Sequence, residues 1–390
     1  MRIWFDILTP KQIMFFKYFV QDLHEDGHEI LCTGRKYREL TELAKIQDIN
    51  IKIVGRHGGN DRYEKLIASI ERTRKLSDII KSFEPNLTVS FSSPEACRVS
   101  FGLNVDHFIF NDSPHAEAVG RLCIPLSTRL FCPWVIPYKA WKNFGINKSR
   151  IVRYKALDPV VWIRKQLEYS EKIQYYHYDN SQREKKRVNT ILVRPEEVKA
   201  SYIADRTNIQ NSVTLIDSII EKFSLSCNIL ILARYQDQVD FFKNRYQHKA
   251  CVLENVVDGI SLLKDIDIFV GAGGTMSAEA VLLGKPVISI SPIDFYVENF
   301  LINSGFIKKI RNQNELCKYI SYIISHLRIK DVIKKKKPKI KIIETGNTNI
   351  ESIADQQSSA FKRKLFEKSA NLINSMDDPI KIFKKFIKNP

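Results

Sequence analysis

The sequence predicts an α/β protein made of two doubly wound domains, each with a parallel sheet covered by helices on both faces. Three observations carry this. Short apolar runs of strand type alternate with helical stretches along the chain, the pattern of strands in a covered parallel sheet. The runs fall into two series, separated by the polar, tyrosine-rich stretch Tyr169–Arg187, which reads as a connector. One glycine-rich segment, Asp267–Ser291, reads as strand, tight turn, short helix and strand.

In the first series the strand-like runs are Arg2–Leu8, Glu29–Gly34, Ile51–Gly55, Leu87–Phe91, His107–Asp112, Arg129–Trp134 and Ile151–Ala156. In the second they are Thr190–Arg194, Asn228–Arg234, Ala250–Asn255, Ile268–Val270 and Val287–Ile290. The division expected is a domain over 1–170, a linker over 171–188, a second domain over 189–365 and a C-terminal helix over 366–390. In that last segment Ile380, Phe383 and Ile387 share one helical face, with Lys381, Lys384, Lys385 and Lys388 mostly elsewhere. Such a helix docks on its own protein or lies on a membrane. No repeat of solenoid length is present. The charge run 334–341, broken by Pro338, reads as a solvated loop.

A length of 390 residues suits two domains, and 44% hydrophobic content suffices for two cores. Asp6 and Lys11 interrupt the apolar stretch at the N-terminus, so no secretory signal is expected there. No run is apolar enough to span a membrane. Seven scattered cysteines without a CxxC pair suit a reducing cytoplasm and argue against a disulfide frame or a cysteine zinc site. The net charge is +17. That excess favours phosphate-bearing partners or simply solubilises the surface. No nucleic-acid motif accompanies it.

Ligands of doubly wound sheets bind outside the carboxyl ends of the strands, so chemistry is sought just after each run. In the glycine-rich segment, Gly271, Gly273 and Gly274 permit a sharp turn and close approach to the backbone. Thr275 or Ser277 can cap the following helix, whose N-terminus suits a phosphate. Glu279, one turn further, can accept hydrogen bonds from sugar hydroxyls. Arg194 and Arg234 follow two strands of the same half and can clamp a diphosphate. Tyr235 can stack on a base.

In the first half, Thr9-Pro10-Lys11 opens an aromatic-rich helix, with Thr9 a possible cap and Lys11 a possible phosphate contact. His57 sits between Arg56 and the Gly58-Gly59 pair and can shuttle protons. After the fifth run, Asp112, His115 and Glu117 lie close in sequence. They can act as acid or base, hold a divalent ion, or merely open a helix.

The segments WFDILTPKQ, GRHGG, NDSPHAEA, ILVRPEEVKASY, LARYQDQ and GAGGTMSAEAVLLGKP together resemble an archaeal family known as domain of unknown function 354. The likeness runs over roughly Met1 to Gly305. That family is similar to the GT-B glycosyltransferases, and more distantly to the non-hydrolysing UDP-N-acetylglucosamine 2-epimerases and the peptidoglycan N-acetylglucosaminyltransferase. The resemblance implies a GT-B-like fold, two Rossmann-like domains facing across a cleft. It implies a nucleotide-sugar site at Gly273, Gly274, Thr275, Ser277 and Glu279, with a UDP-linked sugar as substrate and no metal or other cofactor required. It also implies a last helix that crosses back to the first domain. His57, Asp112, His115 and Glu117 stand where acceptor-side catalytic groups can stand, and one of them is expected to deprotonate the acceptor, though the resemblance itself assigns none of them a role. The activity expected is glycosyl transfer to a glycan or lipid-linked acceptor, with peripheral membrane contact at Ile13–Val20 or the C-terminal helix. Epimerisation of a nucleotide sugar, or a non-catalytic binding module, would use the same fold.

Overall fold

The alternation of apolar runs and helices resolves into two all-parallel sheets in a computed structural model of the chain, which describes residues 1–59, 61–173, 188–196, 212–254, 257–327 and 351–388. The first sheet contains β1 (Arg2–Ile7), β2 (Glu29–Lys36), β3 (Lys52–Arg56), β4 (Leu87–Ser90), β5 (Asp106–Phe110), β6 (Arg129–Pro133) and β7 (Ile151–Tyr154). The second contains β8 (Thr190–Arg194), β9 (Asn228–Ile231), β10 (Cys251–Val252), β11 (Ile268–Gly271), β12 (Val287–Ser289) and β13 (Ile307–Lys309). The orders are β3-β2-β1-β4-β5-β6-β7 and β10-β9-β8-β11-β12-β13. Each sheet reverses its winding once, between β1 and β4 and between β8 and β11, and such a switch point opens a crevice at the carboxyl ends.

β4 and β11 are buried along their whole length, as expected of strands covered on both faces. Every strand read from the sequence forms, with ends shifted by a few residues. Among the described residues β13 is the one strand not anticipated. Only Ile307 of its three residues is buried, the others being lysines. Its run is too short and basic to stand out, and it exists because β12 pairs with it.

The first half adds helices α1 (Pro10–Glu25), α2 (Arg38–Ile46), α3 (Arg62–Phe83), α4 (Pro94–Gly102), α5 (Glu117–Cys123) and α6 (Val160–Ile173). The second adds α7 (Val213–Phe223), α8 (Gln236–Tyr246), α9 (Gly259–Asp265), α10 (Thr275–Leu282), α11 (Tyr296–Asn303), α12 (Gln313–Leu327), α13 (Glu351–Asn374) and α14 (Pro379–Lys388). Pro10 opens α1, where its missing N–H costs nothing. Thr9 occupies the N-cap, but its side chain makes no capping bond. Ile13, Phe15, Phe16 and Phe19 of α1 are fully buried. The stretch offered as a membrane contact therefore faces inward.

α6 leaves the first sheet and reaches the second, where Trp162 Nε1 donates to Glu279 Oε1 at 3.0 Å. α13 lies against the second half, with Ser369 Oγ donating to the Val281 carbonyl at 2.5 Å. The helix expected to start at 366 thus begins upstream, at 351. It ends before Asp378, whose carboxylate accepts the Ile380 N–H at 2.9 Å, and Pro379 then opens α14 against the first half. There Phe383 is fully buried, 5.4 Å from the Phe19 ring and 5.8 Å from Phe110. Lys384 pairs with Asp22 at 2.6 Å and Asp26 at 2.5 Å. Burying such a phenylalanine contributes about 1.5–3 kcal/mol, so the apolar face of this helix is committed to the protein. Among the described residues no helix is long and apolar enough to cross a membrane. The linker over 174–187 and the charge run over 334–341 lie outside the described residues.

Candidate functional site

A cleft of about 930 Å³ opens between the carboxyl ends of the two sheets and is lined from both halves. On its C-terminal wall β11 ends at Gly271, and the chain turns through Gly273 (φ +91°) and Gly274 (φ +100°). Both values favour glycine. A Cβ on Gly273 would also stand 2.8 Å from the Phe295 ring. Gly274 is the N-cap of α10, and no side chain caps that helix. Neither Thr275 nor Ser277 therefore caps it, contrary to the sequence reading. The glycine turn delivers the chain directly into the helix, leaving Thr275 as its first residue. The side chain of Ser277 is buried, with its hydroxyl unpartnered among the described residues.

Arg194, Arg234, Tyr235, Gly273, Thr275 and Glu279 line this wall. Arg194 Nη1 donates to the Leu232 and Ala233 carbonyls at 2.7 and 3.3 Å, which pins the loop after β9. The Arg234 N–H donates to Gln238 Oε1 at 3.1 Å. Burial pushes the Glu279 carboxyl up to about 7. The Asp258 charge adds to the rise, while the Trp162 N–H, Lys11 and Arg194 oppose it.

The N-terminal wall is built around Lys11. Its Nζ lies 2.5 Å from Asp112 Oδ2 and 2.7 Å from Asp158 Oδ2, 4.3 Å above the Phe91 ring. Tyr154 donates to Asp158 Oδ1 at 2.5 Å, and Ser113 to Asp112 Oδ1 at 2.8 Å. Burial works against charge on both carboxyls. At Asp112, Lys11, Ser113 and His115 outweigh it and hold the pKa below the usual range. At Asp158, burial and the Asp112 charge prevail over Lys11, and the pKa rises. Lys11, read as a phosphate contact, is instead neutralised by two aspartates. His115 lines the same wall, and its ring sits 4.7 Å from that of Phe295 on the opposite one.

Two acceptor-side candidates stand apart from the cleft. His57 is absent from its lining. Its Nδ1 accepts the Gly59 N–H at 3.1 Å, and its ring lies 5.4 Å from that of Tyr37, which does line the cleft. Burial, then Arg35 and Lys65, push its pKa down to about 4, so it does not titrate near neutrality. Glu117, also outside the lining, projects into solvent and pairs with Arg121 at 2.6 Å. Conversely, Asp158 and Trp162 were not singled out from the sequence. Asp158-Pro159 before a helix carries the usual signature of a helix start, and nothing local tells that its carboxylate meets Lys11. Among the described residues no group of three or more His, Cys, Asp or Glu is placed to hold a metal ion.

The fold is GT-B, as shown by its likeness to several solved structures. UDP-GlcNAc 2-epimerase from Neisseria meningitidis, bound to UDP-GlcNAc, aligns with a TM-score of 0.64 at 13% identity over 84% of this chain and 92% of that one. The Methanocaldococcus jannaschii UDP-GlcNAc 2-epimerase, in complex with UDP-GlcNAc and UDP, gives 0.61 at 15% identity over 83% and 93%. Spinosyn rhamnosyltransferase SpnG, complexed with spinosyn aglycone, gives 0.55 at 11% identity over 99% and 100%. At the sequence level the chain is 28% identical over 332 residues to the uncharacterized protein MJ0665 of Methanocaldococcus jannaschii, covering 83% of this chain and 91% of that protein. With residues 1–350 matching the family described as "Protein of unknown function (DUF354)", the chain belongs to that family.

Proposed function

We propose that this chain is a glycosyltransferase that takes its sugar from a nucleoside diphosphate, UDP foremost, and passes it to a hydroxyl of a second substrate. The observation that carries the reading is the pairing of walls. Uncapped backbone at Gly273–Thr275 with Glu279 beyond it faces Asp112 and His115 across one cleft. The diphosphate rests on the glycine turn at the positive end of α10, with Arg234 and Arg194 beside it. Glu279 accepts the ribose hydroxyls. His115 takes the proton of the acceptor hydroxyl as its oxygen bonds to the sugar C1, and Asp112, held ionised, steadies the resulting imidazolium. The C1–O bond to the diphosphate breaks, and its charge is met by the helix terminus and an arginine. A base of this kind contributes about 10²–10⁴-fold.

Purified protein is expected to bind at least one of a panel of sugar nucleotides, with a dissociation constant in the micromolar range (~1–100 μM). His115→Ala then lowers turnover by about a hundredfold or more while donor affinity is kept. Absence of a thermal shift with every donor would remove the proposal. A second reading draws on Asp112 and Asp158, whose pKa values are driven apart beside one lysine, an arrangement suited to proton removal and return at a sugar carbon. Solvent deuterium entering the sugar without any acceptor would select epimerisation.

A further inference from the structure

The rim of the first sheet that lies away from the cleft gathers apolar side chains and cations that the fold does not use. Three connections meet there, each leading into the amino end of a strand, the first into β5, the next into β6 and the last into β7. They frame an open hollow of about 680 Å³ lined by Phe101, Leu126, Arg129 and Arg150 among others. Phe101 is the next-to-last residue of α4, whose buried face is formed by Ala96, Cys97 and Val99. Its own ring is left 62% exposed. Leu122 stands on α5, which packs on α4, and is 58% exposed. Large apolar side chains grouped on one face mark a contact surface.

The charges around the hollow have one sign. Arg98 lies across Gly102, beside Phe101, so closely that a Cβ on Gly102 would stand 3.0 Å from its Nη1. Lys148 precedes Ser149, another lining residue. Over 98–106, 122–129 and 147–150 the one acid is Asp106, which accepts the Thr128 hydroxyl at 3.0 Å. Arg150 Nε donates to the Thr128 carbonyl at 2.9 Å, Arg129 covers the Phe386 ring at 4.9 Å, and Lys148 covers that of Tyr138 at 4.8 Å. Among the described residues none of these four cations pairs with a carboxylate. Lys385 of α14, next to Phe386, is exposed and extends the basic face.

We propose that this face seats the protein on an anionic lipid surface. Phe101 and Leu122 enter the headgroup layer, and the arginines meet the lipid phosphates with their stems along the apolar boundary. A second copy of the chain fits less well, because a two-fold contact sets these cations against each other. A nucleic acid would answer the arginines but leave Phe101 and Leu122 without an apolar partner. The stretches that the sequence offered for membrane contact are spent inside the fold, whereas this face is not. Since it lies at the opposite end of the sheet from the cleft, attachment leaves the cleft open to solvent.

The test is flotation of the full-length protein with vesicles of phosphatidylcholine alone, or of phosphatidylcholine mixed with phosphatidylglycerol. The protein is expected to float with the mixed vesicles and to stay behind with the neutral ones. Phe101→Ser combined with Leu122→Ser lowers the partition coefficient by about tenfold or more. Arg98→Gln lowers it by about fivefold. Both side-chain sets are largely exposed, so denaturation midpoints and donor affinity should match the parent. Arg98, which makes no hydrogen bond among the described residues, carries the test even where the double variant fails to fold. Absence of flotation, equal flotation with both vesicle types, or flotation unchanged in the variants overturns the proposal. Retention of duplex DNA that is lost in Arg98→Gln but kept in the apolar double variant would also overturn it, and would give the face to nucleic acid.

Discussion

The two sheets share a winding order yet treat their switch points in opposite ways. In the first, the crevice between β1 and β4 is filled by the protein itself. Asp6 at the end of β1 accepts hydrogen bonds from Thr33 and Ser93, each at 2.6 Å, and from Arg72 at 2.5 Å. Trp4 Nε1 donates in turn to Thr33 at 2.8 Å. In the second, the corresponding crevice between β8 and β11 holds Arg194 and the glycine turn and stays open to the cleft. One topology therefore yields a solid wall when an acid and an arginine satisfy each other inside it. It yields a ligand seat when glycines leave backbone donors exposed. The difference lies in a few side chains at strand ends, not in the layout of the strands.

The strongest way to break this contrast is to empty the filled crevice. Arg72 and Asp6 are almost completely buried. Burial opposes the Asp6 charge, but Arg72, Ser93 and Thr33 overcome it and hold the pKa below its usual value. Asp6→Ala leaves the buried guanidinium with the Val54 carbonyl on its Nε and, of its ion-pair partners among the described residues, only Glu95. Stripping one partner from a buried pair costs about 3–5 kcal/mol, seen as a lower denaturation midpoint. Donor affinity on the other wall should survive wherever the variant is folded. A variant as stable as the parent would show that the network is not what closes this crevice. Because the Asp6 pKa is lowered, the pair's contribution is present above the unfolded carboxyl pKa and is lost as pH falls through the folded one.

The strand ends were legible because a doubly wound sheet must expose them on one rim, and the apolar runs fixed where the strands stop. Arg194, Arg234 and the glycine turn could be placed on the cleft for that reason. Direction was not legible. His57 follows β3 as Asp112 follows β5, but Gly58 packs on α3 and turns the imidazole behind Tyr37. Asp158 and Trp162 were hidden for a different reason. Their partners, Lys11 and Glu279, lie far away in sequence, and only the packing of α6 and of the turn that leads into it brings each pair together. β13 escaped notice because its stability comes from a neighbour rather than from its own residues.

A smaller effect sharpens the open side. Glu279 has its pKa raised from 4.5 to about 7. Its folded-state contribution is therefore fully present below pH 4.5 and is lost as pH rises through 7, so Glu279→Gln should flatten stability across that window. Ribose hydroxyls donate to the carboxylate form, so donor binding runs the other way. Affinity for a nucleotide sugar should rise by about tenfold between pH 6 and pH 8, followed by calorimetry. The rise should vanish in Glu279→Gln. A pH-independent affinity in the parent would place the ribose elsewhere on the C-terminal wall.

The smallest expected effect tests the boundary of the N-terminal wall. Glu117 and His115 are neighbours in sequence, yet only His115 reaches the cleft. Glu117 begins α5 and pairs one turn on with Arg121 in solvent, with both side chains more than half exposed. Such a pair contributes about 0.3–0.5 kcal/mol. Glu117→Gln should lower stability to urea by no more than about that amount and leave turnover and donor affinity as they were. Loss of turnover in this variant would mean that α5 rotates during the reaction and carries Glu117 inward. The acceptor side would then be a wall that moves, and the contrast between a fixed wall and an open seat would hold only for the ligand-free protein.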